Sequence, residues 1–254
     1  MDGFAVGASG PVLAVSPHLD DAALSAGAVL ARLSAERPVT VLTVFAGDPG
    51  PELSAVARRH HERCHLGGDA VALRRIEDGQ AMAQLGAAAV HGDVPDAVYR
   101  SRPGGGWVCK EDSDMFAPPP SDPDLDRQVE KLVLGMIDAT AARLVLGPLG
   151  TGAHVDHVLT RRAVLRAAAA RGVPALCWQD EPYASWSPPP LDQTAVRVAY
   201  TTRSLAAKLA AVACYRSQLG MLWPDGQDWR AAVARAGAGG PPGEVFCHPA
   251  PASS

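Results

Sequence analysis

The sequence predicts an α/β fold: a mainly parallel sheet with helices on both faces. Three observations carry this prediction. Short apolar segments alternate with longer segments of helical apolar spacing, the pattern of strands joined by helical crossovers. One short segment, VTVLTVF at 39–45, is apolar at nearly every position, as a strand covered on both faces must be. The densest polar clusters, at 18–21 and 154–157, stand where an apolar run hands over to a helix.

Each element follows from its residues. PVLAVS (11–16) is a short β run. Asp20-Asp21 then sits at a helix start, where carboxylates favour the positive end of the helix dipole. AALSAGAVLARLSAE (22–36) has helical apolar spacing, and Pro38 stops it. After the strand 39–45, residues 52–66 are helical, and Gly67-Gly68 ends them. AVALRRI (70–76) reads as a third strand. Residues 91–123 are rich in Gly and Pro, including Gly104-Gly105-Gly106 and Pro118-Pro119-Pro120, and read as a long functional or mobile loop. A helix near 123–141 leads to the strand RLVLGPL (143–149). The turn Gly150-Thr151-Gly152 then delivers His154-Val155-Asp156-His157 to a helix ending about 171. VPALCW (173–178) and AVRVAYT (195–201) read as later strands, separated by the loop 181–190. SLAAKLAAVACYRSQLGML (204–222) reads as one helix, and the Gly- and Pro-rich remainder is expected to fray or cap the domain. The whole is Rossmann-like and free of internal repeats. It is read as a single domain over 1–254, with a core of about 11–222 and a C-terminal extension, 223–254. In such sheets ligands bind beyond the carboxyl ends of the strands, near the point where strand order reverses.

Composition narrows the function. The chain has 254 residues, 47% hydrophobic and 20% charged, with net charge -4. There is no basic tract, so nothing favours nucleic acid or an anionic membrane. The first residues, MDGFAVGASG, lack the pattern of a signal peptide, and no apolar stretch reaches the ~18 residues of a membrane helix. Five cysteines are scattered with no CxxC pair, which disfavours disulfides and thiolate metal sites and fits a cytoplasmic protein. No GxGxxG follows the first strand, so the Rossmann-like shape does not imply NAD. Oligomeric state is not legible.

The chemistry lies in two clusters. Ser16-Pro17-His18-Leu19-Asp20-Asp21 ends an apolar strand with one imidazole and two carboxylates. A catalytic zinc keeps three protein ligands and an open position for water. The first cluster can supply two ligands, and His154-x-Asp156-His157 the third, provided their strands lie close in the sheet. A hydrolytic site also needs a base and a stabiliser for the developing oxyanion. The spare Asp and the spare His fill those roles. Taken singly, each cluster has a bland reading, a helix cap or a solvated strand-end histidine. Their joint position at strand-to-helix junctions favours function.

PHLDD followed by LSxG, with HxDH much later, resembles the PIG-L/LmbE family of N-acetylglucosaminylinositol-type deacetylases. Arg59-x-x-Glu62 ahead of Leu66-Gly67 is similar to the family's second helix. Glu77-Asp78-Gly79 is similar to the segment after its third strand. Lys208 with Tyr215-Arg216-Ser217-Gln218-Leu219 is similar to its late helix. The resemblance spans roughly 11–220. It implies His18, Asp21 and His157 as ligands of Zn2+ or another divalent ion such as Fe2+, and Asp20 as the general base. It implies His154 as the protonated group that steadies the oxyanion, and Asp156 as the carboxylate that orients and tunes His154. Many members read HPDDE, where this chain has Leu19 and Ala22.

Arg59, Asp78, Trp107 and Tyr183 are candidate substrate-binding residues, each with a packing alternative. His61 and His65, one turn apart, read better as surface or packing residues than as ligands. The expected function is zinc-dependent hydrolysis of an N-acyl group, foremost N-acetyl, from a small amino-sugar substrate or an amino-sugar natural product. The high Ala, Arg, Gly and Pro content reads as the codon bias of a GC-rich genome, and by that association antibiotic or thiol-cofactor biosynthesis is the expected setting. The alternatives are an amidase acting on a non-sugar or thiol-conjugate substrate, and a non-catalytic, metal-stabilised sugar-binding protein.

Overall fold

The computed structural model describes residues 9–102, 104–187, 195–236 and 240–248. The chain runs β1 (Val12–Ser16), α1 (Asp21–Ser34), β2 (Val39–Thr43), α2 (Ala55–Arg63), α3 (Ala70–Leu85) and β3 (Ala88–His91). It continues through α4 (Pro123–Thr140), β4 (Leu144–Pro148), α5 (Val155–Arg171), β5 (Ala175–Trp178), α6 (Tyr183–Trp186) and β6 (Val196–Ala199). It closes with α7 (Thr202–Val212), α8 (Arg216–Leu222), α9 (Trp229–Arg235) and β7 (Gly243–Cys247).

The described strands form a seven-stranded sheet of order β3-β2-β1-β4-β5-β7-β6. The run from β3 to β5 is parallel, and β7 is antiparallel to both its neighbours. Strand order reverses between β1 and β4, which pair directly, Val12 opposite Leu144. Strand alternation splits the core in two. Val12, Ala14, Val39 and Val41 face α1, α3 and α7, while Leu13, Val15, Leu42 and Val145 face α4 and α5. A third cluster, including Leu19, Ala46, Val56, Val71, Val98 and Met115, lies under the segments that follow β1, β2 and β3. Leu19 and Ala22, the two departures from HPDDE, are therefore buried apolar contacts.

Three expectations are corrected. Residues 70–76 are helical, not a strand: Ala70, Val71, Ala81, Met82 and Leu85 form the buried face of α3, and Gly86 caps it in the left-handed conformation. Leu73 and Ile76 mimic a β run but stand exposed on the outer side. The third strand is the Ala-rich 88–91, at the sheet edge. The helix expected over 204–222 breaks at 213–215, where Tyr215 leaves helical geometry and sinks onto α3. There the Tyr215 hydroxyl donates to Asp78 Oδ1 at 2.7 Å, and the Ser217 hydroxyl to Glu77 Oε2 at 2.6 Å. Nor does the core end near 222. β7 is buried at all five positions and lies between β5 and β6.

β7 also braces α1, the helix that begins with Asp21. The Glu244 carboxylate accepts from Ala28 N and Val29 N, both at 2.8 Å, and pairs with Lys208 Nζ at 2.8 Å. Lys208 and Glu244 are almost wholly buried. Removing either partner strands the other charge in the interior, a loss of about 3–5 kcal/mol.

Candidate active site

His18, Asp20 and Asp21 leave the carboxyl end of β1, and His154, Asp156 and His157 follow that of β4. Because β1 and β4 are neighbours, the two clusters meet at the reversal of strand order. The β1 turn is knit by Ser16, whose hydroxyl donates to His18 O at 2.8 Å and accepts from Ala22 N at 3.0 Å.

One oxygen organises the donors. Asp21 Oδ2 accepts from His18 N at 2.8 Å and lies 3.1 Å from His18 Nδ1 and 3.2 Å from His157 Nε2. The far side of each ring meets another carboxylate: His157 Nδ1 is 2.8 Å from Asp180 Oδ1, and His18 Nε2 is 3.2 Å from Asp156 Oδ2. With the ring protons on those outer nitrogens, two bare lone pairs face Asp21. Lone pairs opposing a carboxylate oxygen at this range need a cation between them. His157 Nε2 is buried with no hydrogen-bond partner. Donors bound at about 2.0–2.1 Å to a tetrahedral ion lie about 3.3 Å apart. Asp21 Oδ2 stands at about that spacing from each of the two imidazoles, and His18, His154 and His157 are also close enough together to share an ion. Without one, a proton takes its place. Burial depresses both histidines, but Asp21 and Asp180 outweigh it and push His157 up to about 9, and Asp96, Asp156 and Asp21 raise His18 well above the ordinary range.

Asp20 stands beside the donors as an N-cap that makes no capping bond. Burial, and then the charge of Asp21, push its carboxyl up to about 7. Arg74 NH2, 3.9 Å from Asp20 Oδ2, works in the opposite direction. A carboxyl near neutrality, not engaged as a cap, is suited to passing protons.

His154 differs from the expectation. Its Nδ1 accepts from Asp156 N at 3.2 Å, so the proton of the neutral ring sits on Nε2. Burial, followed by the charges of His18 and His157, drives its pKa down to about 3. Burial and those two charges favour the neutral ring, whose Nε2–H is free to donate. The Asp156 carboxylate, expected on His154, turns instead to His18 Nε2, Ala97 N and Arg100. Burial favours its neutral form, but Arg100 and His18 outweigh this and keep it well below the ordinary carboxylate range.

His18, Asp20, Asp21 and His154 line a cavity of about 280 Å³. The rest of its lining mixes polar groups, among them His60, Arg63, Arg74, Asp96 and Asp112, with apolar ones, among them Leu24, Phe116, Pro182, Tyr183, Trp186 and Leu222. Of the expected substrate-binding residues, only Tyr183 lines the cavity, its ring 5.4 Å from that of His157. Gly152, at φ +82, makes room for it: a Cβ there would lie 2.9 Å from the Tyr183 ring. Arg59 sits on the outer side of α2 and binds Asp112 Oδ1 at 3.0 Å. Asp78 is buried in α3, held by Tyr215 and His91. Trp107 folds back on Ser101 through the Gly104–Gly106 turn, away from the cavity. His61 is tied to the Tyr99 hydroxyl at 2.8 Å, and His65 is exposed, so the two do not converge.

Asp180, Arg100, Asp96 and Arg74 escaped the sequence reading. Asp180 stands two residues beyond β5, the kind of strand-end position that marked the two clusters, but a lone carboxylate makes no pattern. Arg74 was hidden by the strand assignment of 70–76.

Known proteins share this sequence and fold. The PIG-L family, described as GlcNAc-PI de-N-acetylase, matches residues 13–168. A 2'-N-acetylparomamine deacetylase of Streptomyces fradiae is 32% identical over 69% of this chain and 58% of its own length. A 1D-myo-inositol 2-acetamido-2-deoxy-alpha-D-glucopyranoside deacetylase of Catenulispora acidiphila is 30% identical over 65% of this chain and 50% of its own. The chain thus spans about half to three fifths of the length of these curated relatives. The zinc-inhibited form of the teicoplanin deacetylase Orf2 superposes with a TM-score of 0.84 at 33% identity, covering 93% of this chain and 97% of that one. No described helix is long and apolar enough to cross a membrane. With the family match covering more than half of its residues and the fold in agreement, the chain belongs to the PIG-L family.

Proposed function

We propose that the protein is a divalent-metal-dependent deacetylase that hydrolyses the N-acetyl amide of an amino sugar carried by a small natural product, releasing a free amine and acetate. The observation that carries this reading is Asp20: a buried carboxyl not engaged in capping, pushed up to about 7, beside three converging donors. A structural metal site has no use for such a group. The relatives named above, deacetylases of paromamine and teicoplanin, support the substrate class. Zn2+ is the metal of this reading, although His and Asp donors also suit Fe2+. A cytoplasmic setting belongs to it too, supported by cysteines that form no disulfide.

In this reading His18, Asp21 and His157 hold the ion. When bound, it supplies Lewis acidity and lowers the pKa of water. Asp20 takes a proton from the attacking water and passes it toward the leaving nitrogen. His154 Nε2–H donates to the carbonyl oxygen as negative charge grows there. Asp156 and Asp180 keep His18 and His157 in the tautomers that turn a lone pair inward. Arg100 balances the buried charge of Asp156.

The test is release of primary amine, with loss of one acetyl group by mass, from a panel of N-acetylglucosaminides and N-acetylated aminoglycosides. The metal-reconstituted protein should release amine, and chelation should abolish it. Stoichiometric metal with no amine released from any member would overturn the reading.

A further inference from the structure

Two motifs take no part in the chemistry: Glu77-Asp78 on α3, and Tyr215-Arg216-Ser217-Gln218 at the start of α8. The fold joins them. The Tyr215 hydroxyl donates to Asp78 Oδ1 at 2.7 Å. Ser217 donates to Glu77 twice, from its main-chain N to Oε1 at 2.9 Å and from its hydroxyl to Oε2 at 2.6 Å. His91 Nε2, at the end of β3, lies 2.8 Å from Asp78 Oδ2, so the sheet edge holds the same carboxylate. Asp78 and Tyr215 are buried. Three hydrogen bonds to two adjacent carboxylates therefore hold one end of α8.

α8 needs such anchoring. It has seven residues, and its N-cap, Tyr215, makes no side-chain capping bond. Isolated helices shorter than ~12–15 residues are marginal in water, so contacts elsewhere must hold it. Gln218 is its one buried residue, and Leu219 and Leu222 reach the core only in part, so apolar packing fixes it weakly. Yet α8 supplies Gln218, Met221 and Leu222 to the lining of the active-site cavity. The hydrogen bonds continue to that surface. Gln218 Nε2 donates to Ser217 Oγ at 2.7 Å and lies 3.6 Å from Cys64 Sγ, itself 3.7 Å from Met221 Sδ. Glu77, Asp78, Tyr215 and Ser217 do not line the cavity themselves. We infer that these four are positioning residues: they set α8 against the cavity, and through it they govern substrate affinity and not the hydrolytic step. The effect on substrate rests on the deacetylase reading, whereas the placement of α8 rests on the contacts alone.

The test compares the metal-reconstituted wild-type protein with Tyr215→Phe, Ser217→Ala and the double variant, on the best-cleaved substrate of the panel above. Two quantities are measured: steady-state kinetics, and the rate at which iodoacetamide alkylates Cys64, followed by peptide mass. Cys64 is 8% exposed and lies against Gln218 and Met221, so it reports where α8 sits. Each single variant should raise KM about 3–10-fold, the size of one buried hydrogen bond, with kcat within about twofold and metal content unchanged. Cys64 should be alkylated at least about threefold faster in each, and fastest in the double variant, as α8 opens locally. If Tyr215→Phe does not fold, Ser217→Ala, at a half-buried position, carries both measurements. Unchanged KM and unchanged Cys64 alkylation in the double variant, with only thermal stability lowered, would reduce the four residues to packing and overturn the inference. A fall in kcat at constant KM would overturn it as well, by placing their action on the donors. If the wild-type protein releases no amine from any substrate, the deacetylase reading fails, and Cys64 alkylation alone decides whether these residues place α8.

Discussion

The floor of the candidate active-site cavity and its walls are built by different rules. The floor comes from two stretches, 16–21 and 154–157, hung from the ends of two adjacent strands. Its donors are buried and are fixed on their outer sides by Asp156 and Asp180. The walls come from α2, α3, α6, α8 and the segments 96–99 and 112–116, and their polar groups pair with one another, as His61 does with Tyr99 and Arg63 with Asp112. The floor is thus preorganised by the sheet, whereas the walls vary with whatever packs around it. On the proposed function, the comparison puts the reacting groups in contiguous motifs and the groups that would face the substrate in scattered residues. Substitutions in the floor should abolish turnover, and substitutions in the walls should shift which substrate is turned over.

The largest effect should come from Asp21. Its Oδ2 is the contact shared by both donor histidines, so Asp21→Ala removes the meeting point of the site. We expect loss of stoichiometric metal by elemental analysis and a fall in kcat/KM of at least about 10³-fold. Retention of one metal per chain would show that other donors form the centre.

Asp20→Asn should separate chemistry from binding. The donors are untouched, so metal content should stay near one per chain. Without a group to take the proton, kcat should fall by about 10²–10⁴-fold with little change in KM. Full activity in a metal-replete Asp20→Asn protein would remove Asp20 from the mechanism.

Asp180 should give a smaller effect, read in metal affinity. Thr151 N donates to its Oδ2 at 2.7 Å, which locks the carboxylate against His157. Asp180→Ala frees the ring and should weaken metal binding by about 10–100-fold in competition with a chelator. Asp180→Asn can still accept from His157 Nδ1 and should recover part of that affinity. Equal affinity in all three proteins would mean that Asp180 is only packing.

The sequence showed the floor because each motif places unlike polar residues together at the end of an apolar strand. It also showed the parallel strands β1, β2, β4 and β5, whose apolar runs have few other readings. Residues 70–76 misled because Leu73 and Ile76 are apolar yet exposed on α3. β7 was hidden because five buried residues sit inside a stretch otherwise rich in Gly and Pro. Asp180 and Arg100 were silent for another reason. Each acts by a contact with a residue far along the chain, Asp180 with His157 and Arg100 with Asp156. Of the four wall residues expected, Tyr183 alone reached the cavity, since nothing local says which side of a loop faces inward.

The smallest effect should lie where floor and wall meet. Gly150 and Gly152 both have φ +82, but only Gly152 is pressed against another side chain. A Cβ at Gly150 would meet nothing closer than 3.8 Å, whereas at Gly152 it would lie 2.9 Å from the Tyr183 ring. Gly150→Ala therefore carries only left-handed backbone strain, about 1–3 kcal/mol. Gly152→Ala carries the same strain and also moves Tyr183 off the turn. In denaturant unfolding the two should lose comparable stability, with Gly152→Ala lower by the cost of displacing the ring, about 1 kcal/mol or more. In kinetics only Gly152→Ala should raise KM, by a few fold, with metal content unchanged in both. A KM rise shared equally by the two variants would mean that the turn acts through the donors of α5 and not through Tyr183. The boundary between floor and wall would then lie farther out than Gly152.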